Sequence, residues 1–144
     1  MPDAHQLDLT EEAIRALVDA FYAKVRLDRD LGPVFARAIP DEAWPEHLAV
    51  ITDFWSSVML RTGRYRGNPL AAHQRVEGIS PELFDRWLEL WGRTSHELLS
   101  RETADAISTK AVLIAESLKA AMFFQPGERL AEEAGRVGKP TTLT

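Results

Sequence analysis

The segment TEEAIRALVDAFYAKVRL (residues 10–27) determines the fold class expected of this chain. Its apolar side chains recur at spacings of three and four residues, which places them in one wide stripe along an α-helix. Thr10 precedes the stripe as an N-cap, and Glu11 and Glu12 place negative charge at the positive end of the helix dipole. The segment therefore predicts a long amphipathic helix that ends near Leu27.

Three further segments show the same periodicity, and none of the chain shows a sustained period of two. Asp41 is expected to cap a helix that runs to the residues before Gly63, and Ser80 with Pro81 is expected to open another. The last helix is predicted from about Thr103 to Phe124.

Between the first two long helices, Gly32 and Pro33 leave room for at most a short helical turn that carries Val34 and Phe35. The buried side of the helix after Ser80 is predicted to hold Phe84, Trp87, Leu88, Trp91 and Leu98. The chain is predicted to be all-α.

Composition limits the classes of function. The chain has 144 residues, a formal net charge of −5 and no cysteine. One domain over residues 1–126 is expected, followed by a flexible tail at 127–144 that has few apolar residues. The acidic balance argues against a nucleic-acid partner, and the absence of a long apolar run or signal peptide predicts a cytoplasmic protein without a membrane partner. Without cysteine there is no thiolate metal site and no cysteine nucleophile.

The segment GNPLAAHQRVEG (residues 67–78) contains the most informative histidine. Asn68 is predicted as the N-cap and Pro69 as the first residue of a short helix. Leu70, His73 and Val76 recur every third residue, so His73 is expected to face the interior. It is then either a core residue that a carbonyl or water satisfies, or a ligand or catalytic base.

Other inward faces bring hydrogen-bonding side chains toward the same interior. Tyr22 lies on the stripe of the first helix, His47 lies at the edge of the next long stripe, and Trp87 lies on the helix after Ser80. No pair of histidines has the i, i+4 spacing of a helical zinc motif, and no P-loop, dinucleotide fingerprint or nucleophile elbow is present. Taken one at a time, these aromatic side chains would be ordinary core residues.

Five segments in order resemble the truncated haemoglobins, and within them group III, over about residues 7–124. They are FYAKVRLDRDLGPVF (21–35), WPEHLAVITDFWSSVML (44–60), YRGNPLAAH (65–73), FDRWLELW (84–91) and IAESLKAAM (114–122). The resemblance implies a shortened globin fold in which helices stack two over two around haem b. The glycine-pair motifs of groups I and II are absent, as is expected of group III.

The resemblance also implies roles for individual residues. His73 would be the proximal iron ligand, and its other ring N–H could donate to a carbonyl near Pro69, which would fix the tautomer. Tyr22 and Trp87 would line the distal pocket, and His47 would be the distal or gate residue. Further contacts with the cofactor are expected from Phe35, Ile51, Val76, Phe84 and Trp87, and donors to the propionates from Arg64, Tyr65, Arg66 and Arg75.

Two polar donors in a distal pocket would slow the release of bound dioxygen. The expected function is therefore redox chemistry on dioxygen, nitric oxide, nitrite or peroxide, of a nitric oxide dioxygenase-like or peroxidase-like kind, supported by an unidentified reductase, rather than oxygen delivery. Two alternatives remain open from the residues alone. One is a cofactor-free helical interaction module, and the other is a haem-based sensor or electron-transfer partner.

Overall fold

Six α-helices and one 3₁₀ turn form residues 8–123, which are the residues that the computed structural model describes, and no strand occurs among them. The predicted domain end at 126 and the tail at 127–144 lie outside these residues. The α-helices are α1 (Glu11–Leu27), α2 (Leu31–Ala38), α3 (Trp44–Leu60), α4 (Pro69–Gln74), α5 (Pro81–Leu98) and α6 (Arg101–Phe123), and the 3₁₀ turn covers Asp41–Ala43.

The stripe of α1 forms the centre of the core, as the sequence predicts. The Thr10 hydroxyl accepts a hydrogen bond from the N–H of Ala13 at 3.1 Å and so caps the helix. Every apolar member of the stripe from Ile14 to Val25 is buried. Because one wide face is covered, α1 can pack against three neighbours, namely α2, α3 and α5.

The long helices form the expected two-over-two sandwich. The pair α1 and α3 packs over the pair α5 and α6, and the shorter α4 packs mainly against α6. Indole rings join the two layers, since Trp55 of α3 stacks on Trp91 of α5 with ring centroids 4.7 Å apart. This arrangement leaves α3 and α6 on either side of α4, so the segment that carries His73 lies at the opening between them.

The region from 28 to 43 differs from the prediction in two ways. It holds a two-turn helix, α2, where only a short turn was expected, because Pro33 occupies the first turn, in which a backbone N–H has no helical partner. Gly32 is buried where α2 meets α1, and a Cβ at this position would lie 2.8 Å from the Arg26 carbonyl oxygen. The expectation that Asp41 caps α3 is wrong: it begins the 3₁₀ turn and pairs with Arg26 at 2.9 Å.

Two expectations about later helices are also corrected. Leu98 is 49% exposed rather than buried, because it lies in the last turn of α5, where the helix leaves the core. Val76 is not on the helix of His73, since α4 ends at Gln74 and Val76 follows it. Ser80 caps α5 as predicted, through its hydroxyl and the N–H of Leu83. None of the helices within residues 8–123 is both long and apolar enough to cross a membrane.

Candidate functional site

One ring nitrogen of His73 forms a hydrogen bond with the backbone, and the other is available to a ligand. Asn68 caps α4 by accepting from the N–H of Ala71 at 3.1 Å, and Pro69 is the first helical residue. The Nδ1 of His73 lies 2.7 Å from the Pro69 carbonyl oxygen, which can only accept, so Nδ1 carries the proton. Within residues 8–123 no hydrogen-bond partner is present for Nε2. The predicted hydrogen bond to Pro69 is therefore confirmed, and it leaves Nε2 available to a ligand.

A phenyl ring fixes the plane of this imidazole. Phe84, in the first turn of α5, is buried and lies nearly parallel to His73, with centroids 5.9 Å apart and an angle of 27°. His73 itself is half-buried, so it faces an opening rather than a filled core. The carbonyl of His73 accepts from the N–H of Val76 at 3.1 Å, which ties the chain after α4 to the same residue.

His47 presents a second nitrogen without a partner. Its Nε2 is buried and has no hydrogen bond within the described residues. Burial lowers the pKa of His47 from its usual value, and the presence of His73 lowers it further because two protonated imidazoles would repel each other. The two imidazoles are therefore close enough to interact electrostatically, and His47 is neutral at neutral pH.

Tyr22 provides a buried hydroxyl beside His47. It is only 4% exposed, and its ring is perpendicular to that of His47 with centroids 6.1 Å apart. Burial raises the pKa of Tyr22 to about 12, and a hydrogen-bond interaction with Trp87 opposes this rise. The indole N–H can only donate, so its interaction with the Tyr22 oxygen favours the charged form of the phenol and lowers its pKa.

Three further rings pack against the Tyr22 ring. Phe35 of α2 and Trp44 of α3 lie 5.8 and 5.9 Å from the Tyr22 ring, and Phe21 lies 4.7 Å from it. Phe21 also contacts the edge of Trp87 at 4.9 Å. Trp44 was recognised in the sequence only as a core residue, yet its ring also lies 5.3 Å from His47. The structure thus brings Tyr22, Phe35, His47 and Trp87 together in one cluster, in which Tyr22 is buried and the other three are half-buried.

The residues expected to bind propionates line a groove on the other side of α4. Tyr65, Arg66 and Arg75 all contribute to it, together with Asn68 and Ala72. Arg64 also reaches this groove, but its guanidinium forms two hydrogen bonds with the Glu11 carboxylate, one of them at 2.6 Å. Arg64 is therefore engaged by α1, whereas Arg66 and Arg75 have no ion pair among the described residues.

A second, apolar groove lies between α3, α4 and α6, and sequence reasoning did not single it out. Several of its side chains pack against the core while remaining half-buried. Partial exposure of apolar side chains on inward stripes is the signal that a flat apolar group could cover them. The residues concerned are Phe54 and Val58 of α3, Leu70 of α4, and Ile114 and Leu118 of α6. Ile51, one turn after His47, is half-buried as well.

Clusters for a different kind of metal site are lacking. Within residues 8–123 no group of three or more histidine, cysteine, aspartate or glutamate side chains could hold a metal ion. Any metal held at His73 would therefore need most of its ligands from a non-protein group. Two imidazoles, an apolar groove and a buried phenol together fit a flat apolar cofactor with a metal at its centre.

Comparisons with known proteins extend over most of the chain. A group 3 truncated hemoglobin from Campylobacter jejuni is 38% identical over 109 residues, which cover 74% of this chain and 86% of the relative. The crystal structure of a group III truncated hemoglobin from Campylobacter jejuni aligns with a TM-score of 0.76 at 36% identity, covering 81% of this chain and 93% of that chain. No protein-family model matches this chain. Similarity in sequence therefore extends over 74% of this chain, and similarity in fold over 81% of it.

Proposed function

This chain belongs to the group III truncated haemoglobins, and on that premise we propose that it binds haem b with His73 as the proximal ligand of the iron. The observation that carries the proposal is the Nε2 of His73, which has no hydrogen-bond partner among the described residues while Nδ1 is bonded to the Pro69 carbonyl. A neutral imidazole nitrogen is a good ligand for haem iron, and the hydrogen bond from Nδ1–H to Pro69 increases its basicity.

The remainder of the cofactor would lie against apolar surface. The half-buried side chains of Phe54, Val58 and Ile114 would contact one part of the porphyrin, and Phe35 and Ile51 would contact it near the distal residues. Phe84 supports the imidazole plane from behind. Covering this surface would remove apolar area from water and so stabilise the complex.

The propionates would lie in the polar groove beside α4. Tyr65, Arg66 and Arg75 line this groove, and guanidinium groups bind carboxylates well. We expect an Arg66→Ala, Arg75→Ala double variant to lose haem faster than the parent protein. A matched variant of Arg64, which is held by Glu11, should affect the stability of the fold more than the retention of haem. Equal haem retention in the double variant would contradict this placement.

In this arrangement the haem iron would supply reversible binding and redox chemistry for dioxygen or another small ligand. The chain supplies the surroundings of that ligand. The Tyr22 hydroxyl keeps its proton at neutral pH because burial raises its pKa to about 12, and both this hydroxyl and the Trp87 N–H can donate a hydrogen bond to a bound ligand. His47 has no partner at its buried Nε2, so this nitrogen is available for a hydrogen bond with a ligand held beside Tyr22.

Such a pocket suits redox chemistry better than oxygen delivery. A hydrogen bond to a ligand that carries negative charge stabilises it by about 1.5–3 kcal/mol, which slows its release. Slow release favours reaction of dioxygen, nitric oxide, nitrite or peroxide in the pocket, with electrons from a separate reductase. Tyr22, His47 and Trp87 are the residues proposed to act in that chemistry.

The test is reconstitution with haemin. The parent protein should show a Soret band and a pyridine haemochrome spectrum of haem b. His73→Ala should lose haem or bind it weakly, and added imidazole should restore binding. His96→Ala is the matched control, because His96 is exposed and bonds only to Gly92 and Asp105. A parent protein without a Soret band would leave a cofactor-free helical module as the function.

A further inference from the structure

A line of stacked indoles leads away from the Tyr22 pocket. Trp87 stacks on Trp91 with centroids 5.2 Å apart and an angle of 12°. Trp91 in turn stacks on Trp55, at 4.7 Å and 20°. Trp91 is fully buried and Trp55 is 3% exposed. Trp87, Trp91 and Trp55 therefore form one continuous stack of nearly parallel indole rings, which begins beside Tyr22 and Phe21.

The line continues to the surface through one phenyl ring. Phe54 lies 5.4 Å from Trp55 and 5.1 Å from Tyr65, measured between ring centroids. Tyr65 is half-buried and lines the groove beside α4. A single ring thus separates the last indole from a half-buried phenol in the groove proposed for the propionates, where the edge of the cofactor offers a second, direct route that the stack variants below distinguish.

These side chains are the most readily oxidised groups in the chain. Indole and phenol lose one electron more easily than other side chains except cysteine, and the chain has no cysteine. Transfer of an electron between aromatic rings falls steeply with separation, so rings in van der Waals contact exchange fastest. The stack provides that contact twice, between Trp87 and Trp91 and between Trp91 and Trp55.

Trp44 offers a different way out of the pocket, and its surroundings oppose it. The Arg26 guanidinium carbon lies 4.7 Å from the centroid of Trp44. A cation above an indole makes removal of an electron from that ring less favourable. Within residues 8–123 no cation lies over Trp87, Trp91 or Trp55. An oxidising equivalent is therefore directed along the stack rather than to Trp44.

We propose that Trp87, Trp91, Trp55 and Tyr65 form an electron relay, which carries one-electron oxidising equivalents from the pocket to a small phenolic or enediol reductant in solvent. The proposal rests on the proposed haem site and on peroxide as its oxidant. Trp91 has a buried N–H without a hydrogen-bond partner in the described residues. Oxidised Trp91 cannot pass that proton to a neighbour, so it remains a radical cation and oxidises Trp55 in turn.

The reaction balances over two passes. Hydrogen peroxide takes two electrons and two protons and forms two molecules of water. In each pass one electron leaves Tyr65 for oxidised Trp55, and the phenolic proton goes to water in the groove. The tyrosyl radical then takes one hydrogen atom from the reductant, which is oxidised. Protons enter the pocket from solvent, so electrons and protons reach it by separate routes.

The test locates the radical instead of measuring turnover. The haem-loaded protein is treated with hydrogen peroxide and a nitroso spin trap, without reductant, and the adduct is mapped by peptide mass spectrometry and electron paramagnetic resonance. We expect an adduct on Tyr65. In Trp91→Phe the amount of this adduct should fall to the background level measured in Tyr65→Phe. Oxidation should appear instead at Trp87 or Tyr22. Trp55→Phe interrupts the same stack at its next ring, so it should also lose the Tyr65 adduct.

Trp44→Phe is the matched control, because it removes an indole beside the pocket that is not part of the stack. Its Tyr65 adduct should equal that of the parent protein. Each variant is accepted only with an unchanged Soret band, which separates loss of the relay from loss of haem. Oxidation confined to Tyr22 and Trp87 in the parent, or a Tyr65 adduct retained in both stack variants, would overturn the relay alone. Absence of any oxidised side chain would overturn the peroxide chemistry and the relay together.

Discussion

Tyr22 combines a buried ring with a hydroxyl that keeps its proton, because burial raises its pKa to about 12. Tyr22→Phe retains the ring and removes only this donor. We expect dioxygen to dissociate about ten- to a hundredfold faster, the equivalent of one hydrogen bond to a charged acceptor. Stopped-flow mixing of the oxygenated protein measures this rate. Association of carbon monoxide, which carries little charge, should change far less.

Tyr65→Phe is the control for this experiment, since Tyr22 and Tyr65 are the two tyrosines of the chain. Tyr65 lines the groove proposed for the propionates and would not contact the bound ligand, so haem-loaded Tyr65→Phe with a parent-like Soret band should release dioxygen at close to the parent rate. A wild-type rate in Tyr22→Phe would make Tyr22 a packing residue and remove the main support for redox chemistry. Trp87→Phe is harder to interpret, because it also leaves a cavity.

Single residues differ in how much of their role can be read from sequence. The position of His73 on α4 could be predicted because a capping Asn68 and an N1 Pro69 agree, and the bond to the Pro69 carbonyl followed from helical geometry, whereas its role as a ligand was implied by the family resemblance and stays a prediction. Trp44 could not, because periodicity places it in the core but does not say that His47 and Tyr22 meet its ring. Which rings meet depends on contacts between helices.

At the scale of helices, Asp28 joins α5 to the junction of α1 and α2. Its carboxylate accepts from the N–H groups of Asp30 and Leu31 and from Arg86, whose Nη2 lies 2.6 Å away. The side chain of Asp28 is only 6% exposed. We expect Asp28→Asn to lower the free energy of unfolding by about 1–3 kcal/mol, measured by urea denaturation, because a charged acceptor of several donors is lost.

The pH dependence of this effect has a definite sign. Hydrogen bonds from Arg86 hold the pKa of Asp28 below its usual value. The stabilisation is therefore complete above about pH 4, the ordinary value in the unfolded chain, and is lost as pH falls through the folded value. The difference between the parent and Asp28→Asn should shrink in that range. Asp30→Asn is the control and should show little effect, and an equal loss in both variants would contradict the assignment.

His96 and Asp105 join α5 to α6 with the opposite pH dependence. The Gly92 carbonyl and then the Asp105 carboxylate, 2.8 Å from Nε2, raise the pKa of His96. Its stabilising effect is complete below about pH 6.5 and is lost as pH rises through the folded value. Asp105→Asn should therefore lower the unfolding temperature more at pH 5.5 than at pH 9. A pH-independent difference, or the same pattern in the exposed control Glu102→Gln, would refute this.

The helices were predicted well where a cap and a stripe agree, as in α1 and α5. The prediction was wrong at α2, because Gly32 and Pro33 are strong turn signals whose effect depends on position within a helix. Pairs such as Asp28 with Arg86 are 58 residues apart in sequence and follow from the packing of helices that periodicity does not fix. Leu98 shows the same limit, since a stripe does not reveal where a helix leaves the core.

For the whole molecule, haem binding should contribute directly to stability. A ligand that binds only the folded state stabilises it by about 2.7 kcal/mol at a hundred times its dissociation constant. The haem-loaded protein should thus unfold at a higher temperature than the haem-free protein in calorimetry. His73→Ala should abolish most of this gain while leaving the haem-free protein nearly unchanged, because His73 is only half-buried. A large loss in the haem-free variant would indicate a structural histidine instead.

The helix that carries His73 has only six residues and rests mainly on α6. Amides in so short and weakly anchored a segment exchange with deuterium through local opening, without unfolding of the four long helices. Insertion of haem could then proceed by docking of α4 onto a core that is already formed. The kinetics of capture would be set by this one segment, and deuterium uptake across residues 69–74 would fall on loading while uptake in α1 stayed constant.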